Sequence, residues 1–132
     1  MNNPFLPHNE SERLRALQEY EILDTQTEED FDRITSIASL VCGTPISLIS
    51  LIDKDRQWFK SRVGLDVKET SRSLAFCRYV ITGNDYLEVY DATEDERFKE
   101  NELVTADPHI RYYAGFPLID PNGYTLGTLC VI

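Results

Sequence analysis

Three cysteines and two histidines are the side chains of this sequence with the widest chemical repertoire. Cys77 is the most suggestive, because the segment SLAFCRYVI (73–81) places it between Phe76 and Arg78. A catalytic thiol needs a lowered pKa, and thiol redox chemistry also needs a resolving thiol nearby. Arg78 is adjacent to Cys77, but adjacent side chains diverge on a helix. The residues alone therefore favour a small, packed side chain for Cys77.

The other cysteines and the histidines complete no catalytic or metal-binding set. Cys42, Cys77 and Cys130 are widely spaced, without a C-x-x-C pair or a neighbouring His ligand, so neither a zinc site nor a disulfide framework is predicted. Cys42 and Cys130 are interpreted as core residues. His8 is expected in a solvated tail, and His109 is expected to anchor a loop at the start of a strand. No catalytic residue and no metal ligand is assigned.

Length and charge restrict the classes of function. The 132 residues suit one domain with one core, for which we expect a tail over 1–9 and a folded domain over 10–132. A net charge of −10 argues against nucleic-acid binding, because phosphate contacts rely on clustered Lys and Arg. No apolar run approaches the roughly 20 residues of a membrane span, and no signal peptide is recognisable. We therefore expect a cytoplasmic domain without direct membrane insertion.

Two helices are predicted before the first strand. The segment 9–12, Asn-Glu-Ser-Glu, has the form of a capping box and opens a helix over roughly 10–20. Thr27 is expected to cap a second helix whose first turn is acidic, as the helix dipole favours. Apolar residues then recur at helical spacing over 31–41, and Gly43 is expected to end the helix.

The remaining elements are predicted to form one antiparallel sheet. Segments 46–52 and 57–64 flank a polar turn and indicate a hairpin, with Trp58 and Lys60 on one face and Lys60 in solvent. The Asn-Gly turn at 122–123 indicates a second hairpin. The predicted elements between and around these turns are a helix over 73–82, a strand over 86–90, a helical turn over 96–99, and strands over 112–119 and 124–132. The fold class is therefore α+β.

Several ordered blocks of this sequence resemble GAF domains found at the N-terminus of bacterial sensor histidine kinases and diguanylate cyclases. The blocks are 22–32, 55–66 (DRQWFKSRVGLD), 76–81 (FCRYVI), 91–104, 109–118 (HIRYYAGFPL) and 123–132. The resemblance implies a central antiparallel sheet of about six strands flanked by helices. It also implies that the final helix of the family lies beyond the end of this chain, and that the domain is C-terminally truncated.

The resemblance further implies a ligand site between the sheet and the helix and loops that cover it. Apolar and aromatic groups with a few polar anchors are typical of such sites. The candidate ligand-binding residues are Phe76, Cys77, Arg97, Phe98, Arg111, Tyr113 and Phe116. The charged groups of 91–97 together with Arg111 are interpreted first as a network that fixes the loop, which is compatible with a pocket wall.

Three functions follow as hypotheses from this resemblance. The first is a non-catalytic sensory module that binds a small molecule or partner, controls a histidine kinase or diguanylate cyclase output, and forms a homodimer through terminal helices. The second is a purely structural dimerisation module. The third is a Cys77-dependent free methionine sulfoxide reductase. Tyr79 stands where relatives commonly have histidine, so no bilin or haem cofactor is expected.

Overall fold

The computed structural model describes residues 7–83 and 85–132, and these form one six-stranded antiparallel sheet with helices on both faces. The strand order is β3-β2-β1-β6-β5-β4. The strands are β1 (Ser47–Ile52), β2 (Arg56–Val63), β3 (Glu69–Ser71), β4 (Leu87–Val89), β5 (Tyr113–Ile119) and β6 (Thr125–Val131). The predicted α+β class and six-stranded antiparallel sheet are confirmed. The tail prediction for residues 1–6 lies outside the described residues.

Within residues 7–83 and 85–132, four α-helices accompany the sheet: α1 (Glu10–Glu19), α2 (Glu29–Cys42), α3 (Cys77–Gly83) and α4 (Glu102–Thr105). One predicted cap position is confirmed and one is wrong. Asn9 is the N-cap residue of α1, although its side chain makes no capping hydrogen bond, whereas Glu28 rather than Thr27 is the N-cap residue of α2. Gly43 ends α2 as predicted, in the left-handed conformation that glycine adopts without penalty. No helix in the described ranges has the length and apolar character of a membrane span.

The segment between the two hairpins differs most from the sequence prediction. The expected helix over 73–82 is divided into a 3₁₀ turn (Arg72–Leu74) and α3, because Ala75 between them is extended. The predicted helical turn over 96–99 is present as a single hydrogen-bonded turn, in which the Lys99 amide donates to the Asp95 carbonyl at 2.8 Å. Strand β3 and helix α4 were not predicted. Asn101 caps α4 by accepting a hydrogen bond from the Leu103 amide at 2.8 Å.

A bulge in β2 shifts the alternation of its side chains, so the residues after Lys60 lie on the face opposite to the one that simple alternation predicts. Ile49 pairs with Ser61 and Ser50 pairs with Phe59, so Lys60 is the extra residue. Lys60 is 1% exposed, and its ammonium donates to Thr25 Oγ1 and the Gln26 carbonyl while pairing with Glu28. The prediction of a solvated Lys60 is wrong, because the α1–α2 connection covers this side chain and supplies its polar partners.

Helix α1 is fastened to the sheet by a buried ionic cluster of Glu10, Arg13 and Arg72. Both oxygens of the Glu10 carboxylate accept from Arg13, at 2.9 and 3.0 Å, and Arg72 donates to the same carboxylate at 2.6 Å. Arg13 also donates to the carbonyl of Ile52. The cluster therefore joins an N-terminal helix, the end of β1 and the segment that precedes α3.

Helix α2 packs against the sheet with a narrower face than its apolar pattern indicates. Thr35 is its buried residue, and its hydroxyl lies 2.8 Å from that of Ser61. Much of the apolar stripe faces outward instead: Ile34, Ile37, Leu40 and Val41 are 47%, 60%, 83% and 78% exposed. Cys42 is also exposed, so its assignment to the core is wrong, whereas Cys130 is buried as predicted.

Candidate functional site

A cavity of about 220 Å³ lies on the face of the sheet opposite α2, between the strands and the layer formed by α3, α4 and their loops. Strand alternation places Leu48 and Phe59 on this face. The lining residues are Ile46, Leu48, Gln57, Phe59, Leu65, Val67, Thr70, Phe76, Leu103, Asp107, Pro108, Ile110, Tyr113, Cys130 and Ile132. Most are apolar, so the site is suited to excluding water from whatever enters.

The few polar groups of the cavity are Gln57, Thr70, Tyr113, Cys130 and Asp107. Gln57 donates from Nε2 to Thr70 Oγ1 at 2.8 Å. The Asp107 side chain is 99% exposed, so its charge lies at the rim in solvent. None of the described lining residues is Lys or Arg. The cavity offers hydrogen-bonding groups but no cation for an anionic ligand.

Stacked aromatic rings form one wall of the cavity. The rings of Phe76 and Phe98 are 4.0 Å apart between centroids and nearly parallel, and Phe76 lies 5.1 Å from Tyr113. A Cβ at Gly115 would collide with the Tyr113 ring. Gly115 therefore allows this ring to lie against its own strand, and the spacing Tyr-x-Gly is a sequence signal for that arrangement.

Three buried hydroxyl groups belong to the same face of the sheet. Ser50 and Thr128 are cross-strand partners in β1 and β6, and Tyr113 lies on β5. None of the three oxygens has a partner of good hydrogen-bond geometry among the described residues, but all three lie around the Cys130 thiol, and the Tyr113 hydroxyl also lies against Thr128. A thiol is a weak hydrogen-bonding group, so a ligand or water that supplies a stronger partner to one of these buried hydroxyls is favoured. Of the three, Tyr113 is the residue that lines the cavity.

Cys77 is the first residue of α3, is buried, and does not line the cavity. It belongs to a small apolar cluster with Ile52, Ala75 and Ile81. Its thiol is within 2.7 Å of Gln57 Oε1, to which it donates, and burial raises its pKa well above the ordinary value. A protonated, enclosed thiol is the opposite of an activated nucleophile.

Burial should make the cysteines of the native chain react at very different rates. We expect N-ethylmaleimide to modify exposed Cys42 within minutes, and Cys77 and Cys130 only on unfolding. Burial raises the pKa of Cys130 to about 11, which adds to its protection. Peptide mass spectrometry of a time course measures this, with denatured protein as the control. Rapid modification of native Cys77 would contradict the buried position and restore its candidacy as a nucleophile.

The structure does not bring Arg97, Phe98 and Arg111 to the cavity surface. Arg97 pairs with Asp95 at 2.8 Å and lies 5.1 Å above the Phe98 ring, which is itself 1% exposed behind Phe76. Arg111 donates to the carbonyls of Val104 and Ile110, both at 3.0 Å. These contacts match the interpretation of a network that fixes the loop over the sheet.

Phe116 lies on the opposite face of the sheet from the cavity. Its ring is 56% exposed and stacks on Tyr86 at 5.5 Å, beside a shallow groove that also involves Ala38 and Cys42 of α2. Of the seven candidate residues, Phe76 and Tyr113 therefore line the cavity. Sequence reasoning missed the apolar lining contributed by Leu48, Phe59 and Ile110, although strand alternation was available for the first two.

Comparison with known proteins gives a family match and a curated relative. Residues 26–132 match the family model of the GAF domain. A cyclic di-GMP phosphodiesterase of Pseudomonas aeruginosa is 42% identical over 132 residues, which is 100% of this chain and 22% of the relative. The chain thus spans less than a quarter of that curated relative.

Solved structures share the fold at lower identity. The GAF domain of an Acinetobacter phosphoenolpyruvate-protein phosphotransferase is 20% identical with a TM-score of 0.60, covering 99% of this chain and 77% of that one. A free methionine-R-sulfoxide reductase of Neisseria meningitidis in complex with its substrate is 15% identical with a TM-score of 0.62, covering 92% of this chain and 71% of that one. At these identities the likeness concerns the fold alone.

Proposed function

The chain belongs to the GAF domain family, and on that premise we propose that it is a non-catalytic sensory module, which binds a small molecule in the cavity and controls an output domain elsewhere in a bacterial signalling protein. The observation that carries the proposal is the apolar cavity of about 220 Å³ between the sheet and the segment that includes Phe76, Leu103 of α4 and Ile110. A water-excluding site with a few convergent polar groups is the usual form of a ligand pocket.

The output of the parent protein is proposed to act on cyclic di-GMP. The support is the Pseudomonas aeruginosa phosphodiesterase, which contains a segment 42% identical to this whole chain. A histidine kinase output, the other class expected from the sequence, remains an alternative. In either case the activity belongs to the output domain, because the thiol of Cys77 is enclosed and protonated. The module is proposed to act in the cytoplasm.

A ligand screen against the 132-residue chain tests the sensory function. A molecule that binds only the folded state raises the melting temperature, by the equivalent of about 2.7 kcal/mol at a hundredfold excess over its Kd. We expect at least one bacterial metabolite to do so, and native mass spectrometry to show one molecule bound. The cavity-filling variant Leu103→Phe should lose the effect, whereas Leu40→Phe, on the exposed side of α2, should keep it. A comprehensive screen without a single stabilising metabolite would refute the proposal.

Dimerisation is a second proposed role, supported by the exposed apolar side of α2. A stripe of this kind on a surface helix is typical of an interaction surface. We expect the chain to dimerise with rising concentration and Leu40→Glu to shift it to monomer by at least about tenfold in dissociation constant. Sedimentation equilibrium measures this, with exposed Gln18→Glu on α1 as the matched charge control. An unmodified chain that stays monomeric at high concentration would argue against this role.

A further inference from the structure

The chemistry of the cavity wall restricts the class of ligand more tightly than membership of the GAF family does. The described lining residues include no Lys or Arg, and Asp107 places a negative charge at the rim. The chain as a whole carries a net charge of −10. Burying a phosphate without a cationic partner is strongly unfavourable, and the surrounding potential repels anions. A nucleotide is therefore a poor match to this cavity.

The size of the cavity leads to the same conclusion. A cavity of about 150 Å³ lined by Leu, Ile and Phe admits benzene. The volume of about 220 Å³ here leaves room for one ring with a few additional atoms. Pockets for drug-sized ligands are roughly 300–1,000 Å³, and a cyclic dinucleotide with two purines belongs to that larger class.

Two places on the wall retain hydrogen-bonding capacity. The buried Tyr113 hydroxyl has no partner of good hydrogen-bond geometry among the described residues and lies against the weakly hydrogen-bonding Cys130 thiol and Thr128. At the Gln57–Thr70 pair, one amide hydrogen of Gln57 and the hydroxyl hydrogen of Thr70 are not used by the bond between them. A ligand with one polar group would satisfy one of these places while its apolar part contacts Leu48, Phe76 and Ile110.

We propose that the cavity binds a compact, uncharged and mainly apolar molecule with a single hydrogen-bonding group, rather than cyclic di-GMP or another nucleotide. The proposal rests on the sensory function proposed above and names the class of molecule sensed. It separates the signal from the chemistry of the output, since a module joined to a cyclic di-GMP enzyme would report on a different kind of compound.

The probes p-cresol, toluene and cyclic di-GMP test the ligand class with the 132-residue chain. They are titrated while methyl NMR follows Leu48, Ile46 and Ile110. We expect p-cresol and toluene to shift these methyl signals and cyclic di-GMP to leave them unchanged. The variant Leu103→Phe should abolish both shifts, and Leu40→Phe should preserve them. Shifts of the cavity methyls by cyclic di-GMP, with none by the two ring compounds, would overturn the ligand class while leaving small-molecule sensing intact.

Matched variants test the hydrogen-bonding group. Tyr113→Phe and Thr70→Val each remove one hydroxyl, and we expect at least one of them to weaken p-cresol binding about fivefold while toluene binding changes less than about twofold. Exposed Tyr86→Phe is the control. If p-cresol binds both variants as tightly as it binds the unmodified chain, the proposed polar anchor is overturned. If neither the three probes nor the metabolite screen gives binding, the sensory function itself fails.

Discussion

Replacing Glu10 with glutamine is expected to lower the free energy of unfolding by about 3 kcal/mol, because it removes the only carboxylate of the Glu10–Arg13–Arg72 cluster. The side chains of Arg13 and Arg72 are 1% and 8% exposed, so water cannot replace the lost counter-ion. Removing one partner of a buried ion pair is costly for this reason, even where the intact pair adds little. Urea unfolding at neutral pH measures the change.

The control for this substitution is Glu12→Gln, an exposed position on the same helix. It removes the same charge from α1, and we expect a change within about 0.5 kcal/mol. Equal effects of the two substitutions would show that helix charge, and not the buried cluster, determines the stability of this region.

The same carboxylate should make stability depend on pH. Burial alone would raise the pKa of Glu10, but hydrogen bonds from Arg13 and Arg72 and their charges outweigh it and lower the pKa. A carboxyl group with a lowered folded-state pKa contributes its stability above the unfolded pKa of about 4.3, and that contribution is lost as the pH falls through the folded value. The difference between the unmodified chain and Glu10→Gln should therefore be largest near neutrality and shrink on acidification. A difference that grew on acidification would contradict the lowered pKa.

Local patterns in the sequence predicted five of the six strands, missing β3, and predicted the polar contacts between distant segments poorly. Hairpins such as that around Asn122-Gly123 are determined by adjacent residues, so turn chemistry and alternation locate them. Burial of Arg13 depends instead on carbonyls of Ile52 and Thr125, which are far away in the sequence. Burial of Lys60 depends on the distant α1–α2 connection, in which Thr25, Gln26 and Glu28 contact its ammonium. No local pattern carries that information.

The candidate site shows the same division between local and long-range information. Tyr113 and Phe116 are three positions apart on one strand, so alternation alone places them on opposite faces, and this signal was available in the sequence. The positions of Cys77 and Phe98 away from the cavity surface were not predictable in this way. Whether a residue forms the wall or stands behind it depends on packing of Phe76 against Phe98 at 4.0 Å, which is a tertiary detail.

Periodicity also identified the apolar stripe of α2 without identifying what covers it. A repeat at helical spacing states which residues share a face. It cannot state whether that face meets the sheet of the same chain or another surface. In the described part of this chain, Thr35 meets the sheet while Leu40 and Val41 remain exposed.

Replacing Gly127 with alanine is expected to destabilise the chain by about 3 kcal/mol, at the upper end of overpacking penalties. Gly127 lies in β6, between β1 and β5, and pairs with Leu51. A Cβ at this position would overlap the backbone carbonyl of Ser50, not a flexible side chain. Relief requires β1 and β6 to separate at the centre of the sheet, which would also disturb the face that carries Leu48 and Cys130. A decrease in melting temperature of roughly 10 °C is expected.

Gly83→Ala provides the matched control, because a Cβ there meets no atom within 4 Å and the backbone is not in the left-handed region. The two substitutions add the same methyl group, so thermal unfolding of the pair separates crowding between strands from the general effect of replacing glycine. That general effect is stabilising where the conformation permits it, by about 0.4–1 kcal/mol, since alanine restricts the unfolded chain. We therefore expect changes of opposite sign. If Gly127→Ala is as stable as Gly83→Ala, the close approach of β1 and β6, and with it the register that places the cavity wall, is wrong.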